Sequence, residues 1–298
     1  MAGTLGFIGL GVMGEPICRN LVRKSGHTVK AFDLASEPLQ RIAADGGTIA
    51  TSVEDVVNGS EVIFLCLPSA KHVRNVVESD GGLLASIGSG QIVVDLGTSA
   101  VDVTRDFAKR LAAKGATWID APIARTRQAA QDGTLSVMVG ATKVQFAQVE
   151  PLIRHFATDV TLCGGTGAGQ VTKILNNMVL FETVNALAEA AAIARRSGVS
   201  PKLLLETLSK GSADSFALRN HGMKAIVPSE FPLRAFSTEY ALKDLSYALD
   251  LAKQVGVNPR GAALVDTIFH EAIDSGMGDN YFPVIAKLID APESSGKE

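Results

Sequence analysis

Short apolar runs alternate with helical, turn-bounded segments through the first half of the chain. Five early runs read as strands, at residues 5–8, 28–32, 61–67, 91–96 and 117–119. Two later runs, 135–139 and 160–162, flank a predicted helix at 144–156. Strands that alternate with helices are typical of βα units feeding a parallel sheet. The pattern therefore predicts a doubly wound α/β sheet over about the first 160 residues.

The pattern changes at a cluster of glycines between residues 164 and 169, after which no strand-like run follows. Residues 170–197 read as one long helix, and Ser200-Pro201 provides a new helix start, with Ser as the cap and Pro at the first helical position. Further helical patterns cover residues 202–209, 238–255 and 261–275. We therefore predict an α/β domain over residues 1–164 and an all-α domain over 165–298, joined by the long helix.

Composition and charge narrow the classes of function. The 298 residues are 46% hydrophobic and carry a formal net charge of -3, with no basic stripe suited to nucleic acid or to an anionic membrane. Cys18, Cys66 and Cys163 are far apart and form no CxxC pair, which favours a reducing, cytoplasmic location. The five histidines show no helical i, i+3 or i+4 spacing. We therefore expect no metal, no nucleic acid and no membrane among the partners.

A glycine motif follows the first predicted strand and opens a helix. In this context Gly9, Gly11 and Gly14 match the GxGxxG turn that binds a dinucleotide pyrophosphate at a helix N-terminus. Asp33 ends the second predicted strand, about 20 residues further on, where a Rossmann domain places its ribose-binding acid. Its carboxylate would repel a 2′-phosphate, and no arginine occupies the next three positions. The motif predicts NAD(H) binding, with NADH preferred over NADPH. The alternative is a glycine-rich turn beside a surface aspartate.

A second group of polar residues opens the long predicted helix. Lys173 lies in its first turn, and Asn176 and Asn177 follow at i+3 and i+4 on the same face. The positive end of the helix disfavours a nearby ammonium ion, which would help Lys173 to exchange a proton with a substrate. The alternative interpretation is an ordinary solvated lysine.

Six motifs, read in order, resemble the β-hydroxyacid dehydrogenase family, which includes 3-hydroxyisobutyrate dehydrogenase. They are GFIGLGVMGEPICRNL, FLCLPS, DLGTSA, DAPIARTRQAAQDGTLSVMVG, GAGQVTKILNN and FSTEYALKDLSYALDLA. The resemblance covers nearly the whole chain. It implies a Rossmann domain joined by a long helix to an all-α domain, with the active site in the cleft between them. It also implies a homodimer or homotetramer.

The resemblance also assigns roles to individual residues. Lys173 matches the catalytic lysine, the general acid toward the carbonyl oxygen during reduction and the general base in reverse. Asn177 matches the substrate-anchoring asparagine, with Asn176 beside it. Five further residues match positions that contact the dinucleotide or line its path, and Lys243 would reach it from the helical domain. These five are Val12, Met13, Leu67, Pro68 and Thr98.

Two segments depart from the family: Gly97 stands where the usual Asp-x-Ser-Thr motif has its serine, although Thr98 remains, and one loop differs more strongly. Most members carry Ser-Gly-Gly where this chain has Ala124, Arg125 and Thr126, and there the serine and the glycine amides hold a substrate carboxylate. A guanidinium provides a fixed fork of donors, which suits a strong anion. We therefore predict that Arg125 and Thr126 bind the substrate anion. This loop is most similar to that of bacterial sulfolactaldehyde reductases. The alternative is that Arg125 pairs with a surface carboxylate.

Together these features predict an NAD(H)-dependent oxidoreductase that interconverts a small acidic 3-hydroxy acid, or a hydroxy-sulfonate, and its aldehyde or ketone. The other hypothesis is a catalytically silent dinucleotide-binding sensor or reader protein on the same fold. Loss of Lys173 or an additional reader domain would favour that hypothesis, and the sequence has neither feature.

Overall fold

The computed structural model describes residues 3–233 and 235–291, and within them nine strands form one sheet. The strands are β1 Thr4–Ile8, β2 Thr28–Phe32, β3 Thr48–Ile49, β4 Val62–Leu65, β5 Ile92–Asp95, β6 Thr117–Asp120, β7 Ile123–Ala124, β8 Leu135–Gly140 and β9 Ala157–Gly164. The first six strands are parallel in the order β3-β2-β1-β4-β5-β6. This order is the doubly wound Rossmann arrangement, which confirms the predicted fold class.

The far edge of the sheet is mixed. Strand β8 runs antiparallel to β6 and β7 and parallel to β9. Among the described residues of the first half, eight helices accompany the strands. They are α1 Gly14–Lys24, α2 Ser36–Ala44, α3 Val53–Val57, α4 Ala70–Glu78, α5 Leu83–Ser86, α6 Val101–Ala112, α7 Arg127–Asp132 and α8 Lys143–Ile153.

Strand β4 shows why the sheet needs helices on both faces. Its four residues are all buried, as expected for a central parallel strand. Because successive side chains point to opposite faces, Phe64 packs in one apolar cluster with Phe7, whereas Ile63 packs in the other with Trp118.

The second half is helical. Its α-helices are α9 Ala168–Arg196, α10 Pro201–Leu208, α11 Thr238–Gln254, α12 Arg260–Ala272 and α13 Ala286–Ile289, with π-helical segments at Leu218–Ile226 and Ile273–Met277 and a 3-10 turn at Phe282–Ile285. Its core is aromatic, because the Phe181 ring centroid lies 5.1 Å from that of Phe282 and 5.4 Å from that of Phe269. Rings at such distances and steep angles pack favourably edge to face.

The two compact units divide between Lys173 and Ile174, inside helix α9. The sequence predicted a boundary at residue 164, where the glycines cluster. The difference has a local cause, since the first turn of α9 is hydrogen-bonded to the sheet unit: the Gln170 side chain donates to the carbonyl of Gly97 at 2.8 Å. The start of the helix therefore packs with the strands although its residues look like the beginning of the helical domain.

The three cysteines are free thiols. Burial raises the pKa of the Cys66 thiol to about 12, so little thiolate forms near neutral pH. Within residues 3–233 and 235–291, no helix combines the length and apolarity that crossing a bilayer requires.

Candidate active site

The turn between β1 and α1 holds the three motif glycines in different surroundings. Gly9 has a φ of 98°, and a Cβ there would lie 2.4 Å from the carbonyl oxygen of Cys66. A Cβ on Gly14 would lie 2.0 Å from the carbonyl oxygen of Gly9, whereas a Cβ on Gly11 would meet no atom within 4 Å. The outer glycines therefore permit tight packing, and the middle one leaves open space for a ligand to approach the backbone. This geometry fits a pyrophosphate.

Val12 and Met13 connect this turn to α1. The Glu15 amide already donates to the Gly11 carbonyl at 3.1 Å, so the helical hydrogen-bond pattern begins here. The Val12 side chain is exposed. The backbone amides of both residues lie at the positive end of α1, where an anion is stabilised, and their contact with the pyrophosphate stays a prediction.

Asp33 follows β2, and its carboxylate is held by backbone amides. Oδ2 accepts from the Leu10 amide at 2.6 Å, and Oδ1 accepts from the Ala35 amide at 2.8 Å. The first contact ties the carboxylate to the glycine turn itself. A ribose bound beside that turn would therefore meet a fixed acceptor rather than a freely rotating one.

The remaining predicted dinucleotide residues of this unit lie at the same edge of the sheet. Leu67 and Pro68 follow β4, and the buried Thr98 follows β5. Strand β4 neighbours β1, and β5 neighbours β4, so the carboxyl ends of β2, β1, β4 and β5 follow one another along this edge. In open parallel sheets this edge is where ligands bind, at the point where the strand order reverses.

Helix α9 carries Lys173 and begins against two strand ends. The Asp120 carboxylate, on the last residue of β6, accepts from the Gly167 amide at 2.7 Å and from the Gln170 amide at 2.9 Å. The Gln170 side chain accepts from the Ser99 amide at 3.0 Å. Burial raises the pKa of Asp120, and the amides oppose that shift. Lys173 itself is partly buried, and because α9 begins at Ala168 it lies in the second turn of the helix and not in the first turn as predicted.

A second buried carboxylate lies beside Asp120. Asp95 ends β5, is paired in register with Asp120 and is 0% exposed. Its Oδ1 accepts from the Gly97 amide at 3.0 Å. Burial raises the pKa of Asp95 to about 7, the Gly97 amide opposes the shift, and the charge of Asp120 adds to it. Both aspartates lie within the motifs that resemble the family, but the sequence alone indicates no role for either of them.

In the helical unit, Asn177 is engaged through its side-chain amide. Its Nδ2 donates to Asp244 Oδ2 at 2.7 Å, and its Oδ1 accepts from the exposed Asn176 at 3.1 Å. Both Asn177 and Asp244 are buried. Asp244 therefore fixes the orientation of the predicted anchor, and the sequence analysis had not singled out this residue.

Lys243 lies on α11 next to that carboxylate. Its Nζ is 3.1 Å from Asp244 Oδ1 and 3.8 Å from the centroid of the Tyr240 ring, a cation–π distance. These contacts belong to the helical unit alone. The predicted reach of Lys243 to the dinucleotide stays a prediction.

The loop between β7 and α7 keeps a glycine-like backbone. Arg125 has a φ of 88°, in the left-handed region that glycine adopts most readily. Thr126 caps α7, since its hydroxyl accepts from the Ala129 amide at 3.3 Å. The loop therefore has the conformation of a glycine position although the side chain there is an arginine.

The guanidinium of Arg125 is already paired. One nitrogen donates to the Thr134 carbonyl at 2.6 Å and to the Thr158 hydroxyl at 3.0 Å, and the other lies 2.7 Å from Asp159 Oδ2. The Thr158 hydroxyl, and after it Arg125, hold the pKa of Asp159 below its usual value. This pairing matches the alternative raised from the sequence. Anion binding by Arg125 stays a prediction, and it requires the guanidinium to leave Asp159.

These features define a class of protein. A Rossmann sheet, an open glycine turn and a fixed acid after β2 fit a dinucleotide, and the start of α9 places a lysine on the same unit. Among residues 3–233 and 235–291, no group of three or more His, Cys, Asp or Glu side chains is arranged to hold a metal ion. The class is a dinucleotide-dependent oxidoreductase.

Two family models match the chain. Residues 4–165 match the NAD-binding domain of 6-phosphogluconate dehydrogenase, and residues 167–289 match the NAD-binding domain of NADP-dependent 3-hydroxyisobutyrate dehydrogenase. Together they cover almost all of the described residues and meet at the start of α9.

Whole-length relatives agree with these models. The chain is 33% identical over 284 residues to 2-(hydroxymethyl)glutarate dehydrogenase of Eubacterium barkeri, covering 95% of this chain and 94% of the relative. It is 33% identical over 291 residues to 3-hydroxyisobutyrate dehydrogenase of Pseudomonas aeruginosa, covering 95% and 97%. The solved 3-hydroxyisobutyrate dehydrogenase of Mycobacterium tuberculosis, studied with L-serine, superposes with a TM-score of 0.88 at 27% identity, covering 98% of this chain and 100% of that chain.

The chain belongs to the 3-hydroxyisobutyrate dehydrogenase-like β-hydroxyacid dehydrogenase family. It is an oxidoreductase of that family with a nicotinamide dinucleotide cofactor. The comparisons offer nothing in favour of the silent sensor or reader hypothesis.

Proposed function

We propose that this enzyme interconverts a small acidic 3-hydroxy acid and its aldehyde or ketone with NAD(H), and that Lys173 exchanges the proton. The observation that carries this proposal is the position of Lys173, within two turns of the start of a helix whose first turn is hydrogen-bonded to the carboxyl ends of β5 and β6. These ends lie at the sheet edge that holds the glycine turn.

The proposed chemistry divides between cofactor and chain. A bound nicotinamide supplies the hydride in reduction and accepts it in oxidation. In reduction Lys173 donates its proton to the carbonyl oxygen as that oxygen gains negative charge. In oxidation the neutral amine of Lys173 takes the hydroxyl proton. Asn177, oriented by Asp244, would anchor the substrate one helical turn further on.

The preference for NADH is supported by Asp33. Its carboxylate is fixed beside the glycine turn by the Leu10 and Ala35 amides, where it would accept from ribose hydroxyls and repel a 2′-phosphate. The family model that is named after an NADP-dependent enzyme matches residues 167–289. Asp33 lies outside that range, so this match does not contradict a preference for NADH.

We expect kcat/KM with NADH to exceed that with NADPH by about 100-fold, because juxtaposed like charges cost several kcal/mol. The test is a spectrophotometric screen of both cofactors, in both directions where the compounds allow. The panel contains 3-hydroxyisobutyrate, 2-(hydroxymethyl)glutarate and L-serine, and the semialdehydes of succinate, tartronate and methylmalonate, with sulfolactaldehyde. Turnover of none of these acids, or equal use of both cofactors, would contradict the proposal.

The substrate anion is proposed to lie at the loop that contains Arg125 and Thr126. The pairing of Arg125 with Asp159 does not exclude this role, since both side chains are more than a third exposed and exposed ion pairs contribute only about 0.2–1 kcal/mol. An anionic substrate could therefore displace Asp159.

If the substrate anion replaces Asp159 as the partner of Arg125, substitutions of these two residues should change KM in opposite directions. Arg125→Ala should raise KM for the best acidic substrate roughly 10-fold with little change in kcat, and Asp159→Asn should lower that KM about 2-fold because it removes the competing carboxylate. Steady-state kinetics of both variants provide the measurement. If neither variant changes KM, Arg125 only shapes the loop.

The proposal of a homodimer or homotetramer is supported by exposed apolar side chains in the helical unit. Leu175 and Val179 lie one turn apart on α9 and are 40% and 58% exposed, and Ile193 on the same helix is 66% exposed. Exposed apolar patches often mark protein interfaces. Light scattering coupled to size-exclusion chromatography would determine the assembly.

A further inference from the structure

Asp120 acts as a helix cap from a distant part of the chain. The four first N–H groups of a helix have no partner within the helix, and a side-chain acceptor usually comes from the residue just before it. Here the acceptor comes from the end of β6, 47 residues before Gly167 and 50 before Gln170. A carboxylate at this position also complements the positive end of the 29-residue helix α9.

Gln170 provides a second tether in the same turn. Its Oε1 accepts from the Ser99 amide at 3.0 Å and its Nε2 donates to the Gly97 carbonyl at 2.8 Å. Gln170 and Asp120 are both 0% exposed. The first turn of α9 is therefore hydrogen-bonded to the end of β6 and also to the loop after β5, which contains Thr98.

Two glycines lie so close to this contact that neither position has room for a side chain. A Cβ on Gly169 would lie 2.3 Å from the carbonyl oxygen of Met138 and 2.9 Å from Asp120 Oδ2. A Cβ on Gly140 would lie 2.4 Å from both carboxylate oxygens of Asp120. All of these distances are shorter than the contacts that Cβ atoms make in real proteins. The carboxylate and the helix start therefore pack directly on the backbone of β8.

We infer that Asp120 is a positioning residue for Lys173: with Gln170 it fixes the origin and direction of helix α9, and hence the place of the amine three residues after Gln170. This inference rests on the proposed role of Lys173. Reacting groups must lie within about 3–3.5 Å of each other, and a displacement of about 1 Å can lower a rate about 100-fold. Asp120 would thus influence the reaction without touching the substrate or the cofactor.

The first test is Asp120→Asn, which keeps the size of the side chain but loses its charge and one acceptor. We expect kcat to fall about 10- to 100-fold with the best panel compound, while KM and the dissociation constant of NADH change less than about 3-fold. Hydrogen exchange of peptides covering residues 165–172 should become faster. Unchanged kcat with unchanged exchange would overturn the inference, as would a loss confined to KM or NADH binding.

Asp45→Asn is the matched control, because it makes the same substitution at a hydrogen-bonded carboxylate of the sheet unit that accepts from Arg19 and Arg23 at 2.6 Å and has no described hydrogen bond to α9 or to the loop after β5. It should leave kcat within about 2-fold. If Asp120→Asn does not fold, Gln170→Ala removes the second tether alone, and we expect a loss in kcat of about 3- to 10-fold, again without a change in NADH binding. Full kcat in Gln170→Ala would then overturn the inference.

Lys173→Ala separates this inference from the proposed function. If Lys173→Ala keeps its turnover, the proposed function fails. If Lys173→Ala is inactive and Asp120→Asn is as fast as the unchanged enzyme, only the positioning role fails.

Discussion

Lys173→Ala should lower kcat by about two to four orders of magnitude, the range that a positioned general acid or base contributes. We expect the alanine variant still to bind the dinucleotide, because the residues proposed to hold it, the glycine turn and Asp33, lie at the ends of β1 and β2 and do not depend on the lysine side chain. The measurement is steady-state kinetics with the best panel compound, together with NADH titration by fluorescence.

Lys202→Ala is the control for this prediction. Lys202 is a solvent-exposed lysine of α10 whose side chain is 73% exposed and lies 3.8 Å from Glu206, so its removal should leave kcat unchanged. A Lys173→Ala enzyme with near-normal kcat would remove the lysine from the mechanism. A Lys173→Ala enzyme that no longer binds NADH would instead indicate a structural role.

Asp95→Asn should stabilise the sheet unit at alkaline pH by up to about 4 kcal/mol. The pKa of Asp95 is raised from 3.8 to about 7 in the folded protein. Between these values the folded state holds a proton that the unfolded state has lost. The stabilisation that this proton provides is therefore complete below about pH 4 and is lost as the pH rises through about 7. Asparagine resembles the protonated carboxyl and does not titrate.

Trp118 makes this measurement specific to the sheet unit. It is the single tryptophan of the chain and is 3% exposed on β6. We propose urea unfolding followed by tryptophan fluorescence at about pH 5 and about pH 9. The difference in unfolding free energy between Asp95→Asn and the unchanged protein should be about 1–2 kcal/mol at the lower pH, because an aspartate in the unfolded chain already ionises above about pH 4, and about 4 kcal/mol at the higher pH. Asp80→Asn, at an exposed position, should show no such difference. Equal differences at both pH values would mean that Asp95 does not titrate in this range.

The sequence predicted those parts of the fold that have a long local pattern. The parallel strands β1, β2, β4, β5 and β6 are apolar runs bounded by turns, and helix α9 is a helical pattern of nearly 30 residues. Strands β3 and β7 were missed because each has two residues, too few for an alternation to be visible. The bounds of β9 also extend beyond its predicted core, Ala157–Gly164 against 160–162, because alternately exposed edge residues weaken the apolar signal.

The residues of the candidate site also fall into two groups, those with a local sequence signal and those whose partners are distant in sequence. The glycine turn, Asp33 and Lys173 could be singled out as candidates from the sequence, because the spacing of residues within a short segment carries the signal. Asp120 and Asp244 could not, since their partners lie 47 to 67 residues away and only the fold brings them together. Arg125 is the clearest case. Its residue type favoured an anion site. Its partners Thr158 and Asp159 belong to strand β9, which is distant in sequence, so the competition between Asp159 and a substrate anion for the guanidinium could not be predicted.

Helix α9 has a further consequence for selectivity. Lys173 and Asn177 are four residues apart in one uninterrupted helix, so their backbone positions differ by about 6 Å along the axis. This spacing is set by covalent geometry and helical hydrogen bonds, and a rearrangement elsewhere in the protein would not alter it. If both residues meet the substrate as proposed, this fixed spacing requires the reacting oxygen and the anchored group of the substrate to lie only a few carbon atoms apart, whatever the rest of the substrate carries.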